Sequence, residues 1–172
     1  GPGSHPWLAQ LRLIDAFVSR IAGAIAKDAR SDISLVITSD HGMVLCPPGR
    51  RINIESHSVL APDVRWVAGD PRARHIYTRP GSGPDVAARW RDALGPDFDV
   101  VTRVELAGEG YFPHLDPDFS ERLGDFMVIA RSDALLASTS DSRSSSFLGQ
   151  HGSMSVGEMH IPFRVFHSGV NA

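Results

Sequence analysis

The chain carries one cysteine, Cys46, in 172 residues. No intrachain disulfide can form, so the fold must rest on packing and hydrogen bonds. Lysine is nearly absent as well. Lys27 stands alone beside 16 arginines, a skew expected of a GC-rich bacterial gene. Charge of one sign is not in excess: 17 Lys and Arg face 20 Asp and Glu, for a formal net charge of −3. Without a basic excess there is no electrostatic footprint for a nucleic acid polymer or an anionic membrane. A nucleotide held through metal ions is not excluded by that argument. Long apolar runs are missing, and none approaches the ~20 residues that a membrane span needs. No charged segment leads into an apolar one at the start, so no signal sequence is read. The location is left unknown, with a cytoplasmic one favoured. No internal repeat is found.

What is present is ordinary globular composition, 42% hydrophobic and 22% charged. That suits one domain with a real core, or a core piece with a small subdomain. Gly1-Pro2-Gly3-Ser4 reads as the scar of a cleaved tag, which puts the native start at His5. Residues 6 to 28 read as an amphipathic helix, with Leu8, Leu11, Ile14, Val18, Ile21 and Ile25 at intervals of three and four. Residues 33 to 38, Ile-Ser-Leu-Val-Ile-Thr, form a mostly apolar run. Such a run predicts a strand buried on both faces, as in a parallel sheet covered by helices. The turn Ser39-Asp40-His41-Gly42-Met43 follows, where open α/β sheets place their ligands.

The segment 50 to 146 reads as a separate α+β lobe. Strands are predicted at 64 to 68, 75 to 78, 98 to 104 and 126 to 130, and a helix at 85 to 94. The Ser-rich stretch 138 to 146 is expected to be a mobile loop. Residues 161 to 166 predict a last strand, with Pro162 at its start or on an edge.

Asp40 and His41 are the first candidate metal ligands, because zinc takes carboxylate oxygen and imidazole nitrogen. At a strand end that breaks into a turn, both side chains can face one ion, and Gly42 supplies backbone freedom. The same tripeptide is equally an Asx-type turn with a surface histidine. His151, between two glycines, is the second candidate, or else a plain loop histidine. His5, His57, His75, His114, His160 and His167 lack ligand spacing and are read as structural or surface. Ser39 and Ser153 lack a nucleophile-elbow pattern. Trp66, Tyr77, Tyr111 and Phe112 could stack a base, but such residues more often serve a core.

Three landmarks in order then become recognisable. Residues 35 to 43, Leu-Val-Ile-Thr-Ser-Asp-His-Gly-Met, resemble the first metal signature of type I phosphodiesterases and nucleotide pyrophosphatases, within the alkaline-phosphatase superfamily. Gly149-Gln150-His151-Gly152-Ser153, with Glu158-Met159 and Ile161-Pro162-Phe163, resembles the second. Arg122 to Val128 is similar to a Gly-Asp segment that leads the chain back to the core.

The resemblance implies an α/β fold: the C-terminal part of an alkaline-phosphatase-like α/β core, built from 5–49 and 147–172, with an α+β lobe inserted at 50–146. It implies two zinc ions, with manganese as a substitute, bound by six protein ligands beside a Thr or Ser nucleophile. Asp40 and His41 would hold one ion and His151 the other. The family's early Asp, its nucleophile and its Asp-x-x-x-His pair have no counterpart here. A phosphodiester or nucleotide substrate, weak metal occupancy and poor activity of this chain alone are therefore expected. So is a homo-oligomer through the bared sheet edge. Two alternatives stay open: another superfamily chemistry (phosphonate hydrolase, phosphomonoesterase or mutase), and a non-catalytic α+β interaction module.

Overall fold

The computed structural model describes residues 1–28, 32–108, 111–112 and 116–168. Helix α1 spans His5–Ala26. Ser4 caps it, its hydroxyl accepting the Trp7 N–H at 3.4 Å, and Pro6 occupies the first turn where a missing N–H costs nothing. The apolar stripe expected along it is only partly covered: Val18, Ile21 and Ile25 are half-buried, Ala22 is buried, and Leu8, Leu11 and Ile14 are exposed.

Strand β1 is Ser34–Thr38, and here the structure corrects the sequence reading. It is neither parallel nor buried on both faces. It pairs antiparallel with the last strand, with Val36 opposite Val165, and the two make a two-stranded sheet. Val36 is 51% exposed and Phe163 opposite Thr38 is 72% exposed. Composition alone marks a strand as apolar; what covers its faces is decided by other elements. The short strands β2 (Val44–Leu45) and β3 (Arg51–Asn53) follow.

The packed centre lies in the next segment. Strand β4 (Val64–Asp70) turns through Pro71 and Arg72 into β5 (Ala73–Thr78). Helix α2 (Gly83–Leu94) ends at Gly95, whose φ of +59° favours glycine. Strand β6 (Phe98–Thr102) is shorter than expected, because residues 103 and 104 open helix α3 (Arg103–Gly108). After the single turn α4 (Pro117–Ser120), β7 occupies Phe126–Ala130 and β8 Leu135–Ala137.

The sheet order is β4-β5-β7-β6, antiparallel throughout. β7 is the strand that is buried on both faces: all five of its residues are buried. Phe126 and Val128 pack with Ile76, Val86 and Trp90 on one side. Met127 and Ile129 pack with Leu106 and Leu123 on the other. Two opposed faces and two neighbouring strands explain why this run, and not 34–38, is the core.

The Ser-rich segment differs from expectation too. It folds into a 3-10 turn at Thr139–Asp141 and a short helix, α5 (Ser142–Ser146), with Ser145 buried. Arg74, itself buried, reaches Asp141 at 2.7 Å. Strand β9 (Gly149–Gln150), the turn α6 (Val156–Met159) and β10 (Phe163–His167) complete the chain. Among the described residues no helix is long and apolar enough to cross a membrane.

Candidate metal centre

The end of β1 leads into a turn fixed by its own polar groups. The Ser39 hydroxyl donates to the His41 carbonyl at 2.7 Å, and the His41 N–H donates to Asp40 Oδ1 at 3.0 Å. The Asp40 side chain is 87% exposed and the His41 ring 35%. Hydrogen bonding by its own backbone, then the neighbouring His41 ring, holds the Asp40 carboxyl below its ordinary range. Gly42 is needed for space. A Cβ there would lie 2.1 Å from the Gly157 carbonyl oxygen. The Gly42 N–H donates to the Glu158 carbonyl at 2.7 Å, so the first motif is seated on the backbone after the second.

His151 arrives by a different route. β2 pairs with β9, Val44 opposite Gln150, which sets the residue after Gln150 beside the 40–43 turn. Gln150 is buried and its amide donates to the carbonyls of Ser144 and Phe147 at 2.8 and 2.9 Å. Gly152 has φ +115°, and a Cβ on it would press on Asp70 at 2.9 Å. The outcome is that His41 and His151, 110 positions apart in sequence, stack with ring centroids 3.6 Å apart and 16° between planes.

The donor chemistry fits a metal in part. A carbonyl oxygen can only accept, so the 2.6 Å contact of His41 Nδ1 with the Gly42 oxygen puts the proton on Nδ1. That leaves Nε2 with its lone pair, the arrangement in which a backbone carbonyl orients a metal-binding imidazole. Asp40 Oδ2 lies 3.8 Å from that Nε2. Ligand atoms at 2.0–2.2 Å from one tetrahedral ion are about 3.3–3.6 Å apart, so a small rotation of the exposed carboxylate suffices. Parallel rings cannot aim two in-plane lone pairs at one point. Yet no group of three or more His, Cys, Asp or Glu close enough to hold an ion occurs among the described residues. The three predicted ligands are neighbours that do not close a site by themselves.

The remaining residues singled out in the sequence fall elsewhere. His57 Nδ1 accepts the Val59 and Leu60 N–H groups, and His167 meets the Ser34 hydroxyl at 2.8 Å. Burial pushes the His75 imidazole pKa down. His5 and His160 are exposed, and His114 lies outside the described residues. Cys46 is buried beside Arg72, and burial pushes its thiol pKa up. The buried Ser153 hydroxyl donates to the Ala130 carbonyl, so neither it nor Ser39 is poised as a nucleophile. Trp66 stands exposed on the edge strand β4, and the Tyr77 hydroxyl donates to the Arg122 carbonyl at 2.6 Å.

Arg72 had no role in the sequence reading and Glu158 entered it only as part of the second motif; both are buried. The guanidinium donates to both carboxylate oxygens, at 2.7 and 2.8 Å. An arginine beside a Gly-Asp-Pro turn looks solvated.

The family model described as type I phosphodiesterase / nucleotide pyrophosphatase matches residues 1–154. Among curated proteins no relative matches. Murine ectonucleotide pyrophosphatase / phosphodiesterase 5 superposes with a TM-score of 0.75 at 20% identity, over 96% of this chain and 42% of that one. An inactive form of the murine protein in complex with AMP gives 0.75 at 21% identity, over 98% and 43%. Phosphonoacetate hydrolase from Sinorhizobium meliloti, in complex with phosphonoformate, gives 0.65 at 18% identity, over 98% and 42%. The likeness is one of fold, and this chain spans about 42% of the length of those structures.

Proposed function

The chain belongs to the type I phosphodiesterase / nucleotide pyrophosphatase family and has its alkaline-phosphatase-like α/β fold; from that premise we propose that it supplies part of the metal centre of a hydrolase acting on phosphoric diesters or nucleotide pyrophosphates. One observation carries the reading: two motifs 110 positions apart bring His41 and His151 to 3.6 Å. Asp40 and His41 would hold one ion and His151 a second, since parallel rings direct their lone pairs to separate points. Two-metal hydrolases keep their ions about 3.5–4 Å apart, close to this ring separation. Zinc suits the Asp and His donors, and manganese is a permitted substitute. When bound, such ions polarise a phosphoryl oxygen and stabilise the entering and leaving oxygens.

The chain's own residues orient these donors. The Gly42 carbonyl fixes the His41 tautomer. The Gly42 N–H ties the first motif to Glu158, and the β2–β9 pairing registers the second motif beside the first. In this reading residues 5–49 and 147–172 belong to the α/β core and 50–146 form the inserted lobe. The nucleophile and the other ligands are not among these residues, so the chain alone turns over substrate poorly. A phosphonate hydrolase is the second reading, favoured by the fold shared with phosphonoacetate hydrolase.

Hydrolysis of a nitrophenyl phosphodiester with added zinc or manganese tests the proposal, beside Asp40→Ala. Metal-dependent turnover, weak but lost in Asp40→Ala, supports it. Robust turnover indifferent to Asp40→Ala overturns it. Self-association belongs to the same reading. In the β1–β10 sheet each strand has one paired neighbour among the described residues, and the sheet's apolar faces are open. Light scattering at high concentration should show species larger than a monomer; a strict monomer contradicts this part.

A further inference from the structure

The β4–β5 hairpin corner touches both halves of the second signature. Asp70 packs on Gly152, next to His151. Two residues on, Arg72 is fully buried and grips Glu158 through two hydrogen bonds. Its Nη1 donates to the carbonyls of Ser132 and Ala134 at 2.7 and 2.8 Å. The guanidinium is thereby anchored to the chain between β7 and β8.

Glu158 is a junction. Its Oε1 also accepts the Ser153 N–H at 3.0 Å, two residues after His151, and its Oε2 accepts the Ser155 hydroxyl. Its backbone carbonyl accepts the Gly42 N–H, one residue after His41. A single residue thus holds the chain flanking each histidine, and a single arginine from the lobe holds that residue.

We propose that the buried Arg72–Glu158 pair is a positioning device that sets the approach of His41 to His151, so that the lobe controls the geometry of the metal centre. Bidentate guanidinium–carboxylate pairing fixes orientation as well as distance, and lysine cannot reproduce it. A buried pair of this kind is a weak source of net stability, which leaves specification of geometry as its reason to be there. The consequence for metal binding rests on the function proposed above; the consequence for the rings does not.

The test is made on the metal-free chain, by NMR of the histidine ring protons, assigned with His41→Ala and His151→Ala. Stacked rings shift each other's signals upfield, and either assignment variant removes that shift from its partner. In Arg72→Lys and in Glu158→Gln at least half of the mutual shift should be lost. Glu158→Gln keeps the side chain's size and an acceptor for Ser153, which guards against a variant that fails to fold. Trp90→Phe, which removes a core hydrogen bond to the Leu60 carbonyl, should lower the melting temperature and leave the ring signals in place. Folded Arg72 and Glu158 variants with unchanged ring signals overturn the proposal. Zinc titration adds a second arm, where loss of supporting contacts weakens binding by roughly 10–100-fold. If wild type shows the stacked rings and the variants lose them, but zinc binds to none, the pair's role stands and the metal reading falls.

Discussion

The four-stranded sheet and the β1–β10 pair are both made of apolar strands, yet only one of them is a core. In β7 every residue is covered, with a helix-backed cluster on each side. In β10 all five residues are exposed, and β1 alternates exposed and half-buried. Asp40 and His41 follow the uncovered strand β1 and His151 follows β9, while Asp70 and Arg72, at the corner of the covered sheet, pack on Gly152 and hold Glu158. The packed core and the candidate metal centre thus occupy different regions, joined at the hairpin corner that carries Asp70 and Arg72.

The largest effects should come from the sheet. Trp90→Ala removes a fully buried ring stacked edge-on against Phe126, and it should cost about 3–5 kcal/mol, read by urea denaturation. Phe163→Ser on β10 should stay within about 0.5 kcal/mol, since that side chain is already in water. Equal losses at the two positions would break the comparison.

Next in size is the join. Gly42→Ala forces a Cβ against the Gly157 carbonyl and should cost about 1–3 kcal/mol, because backbone there cannot move aside cheaply. Zinc affinity should fall with it. A variant as stable as wild type would show that the two motifs are not in contact.

A pH series resolves the join more finely. Burial by itself would raise the Glu158 pKa, but hydrogen bonds from Arg72, Ser155 and Ser153 overcome it and hold the carboxyl below its ordinary 4.5. A folded pKa below the unfolded one gives stability that is present above the unfolded value and lost as pH falls through the folded one. The melting temperature of wild type should therefore drop more steeply below about pH 4.5 than that of Glu158→Gln. Parallel curves would remove Glu158 from the account. The smallest effect is kinetic: backbone amides of β7 should exchange with solvent far more slowly than those of β1 and β10.

Local signals in the sequence carried much of this. Residues 126–130 were legible as a strand to the residue, because Phe-Met-Val-Ile-Ala lies between Gly-Asp and Arg-Ser-Asp breakers. The helices at 5–26 and 83–94 were legible from period and caps, within a few residues at each end. Burial of 34–38 was not legible, because it depends on which elements lie against the strand. The Ser-rich segment looked like solvent-facing chain; the buried Arg74 that organises it, reaching Asp141 and Ser145, lies far away in sequence. For the site, residue types and motif order singled out Asp40, His41 and His151. That the two histidines meet needed the β2–β9 pairing, and the Arg72–Glu158 junction needed the β4–β5 corner folded against α6.

Calorimetric zinc titration of wild type beside His41→Ala and His151→Ala tests the central claim most directly. The account predicts zinc-binding heat in wild type that each substitution reduces separately, one per ion. Identical heats in all three proteins would contradict it.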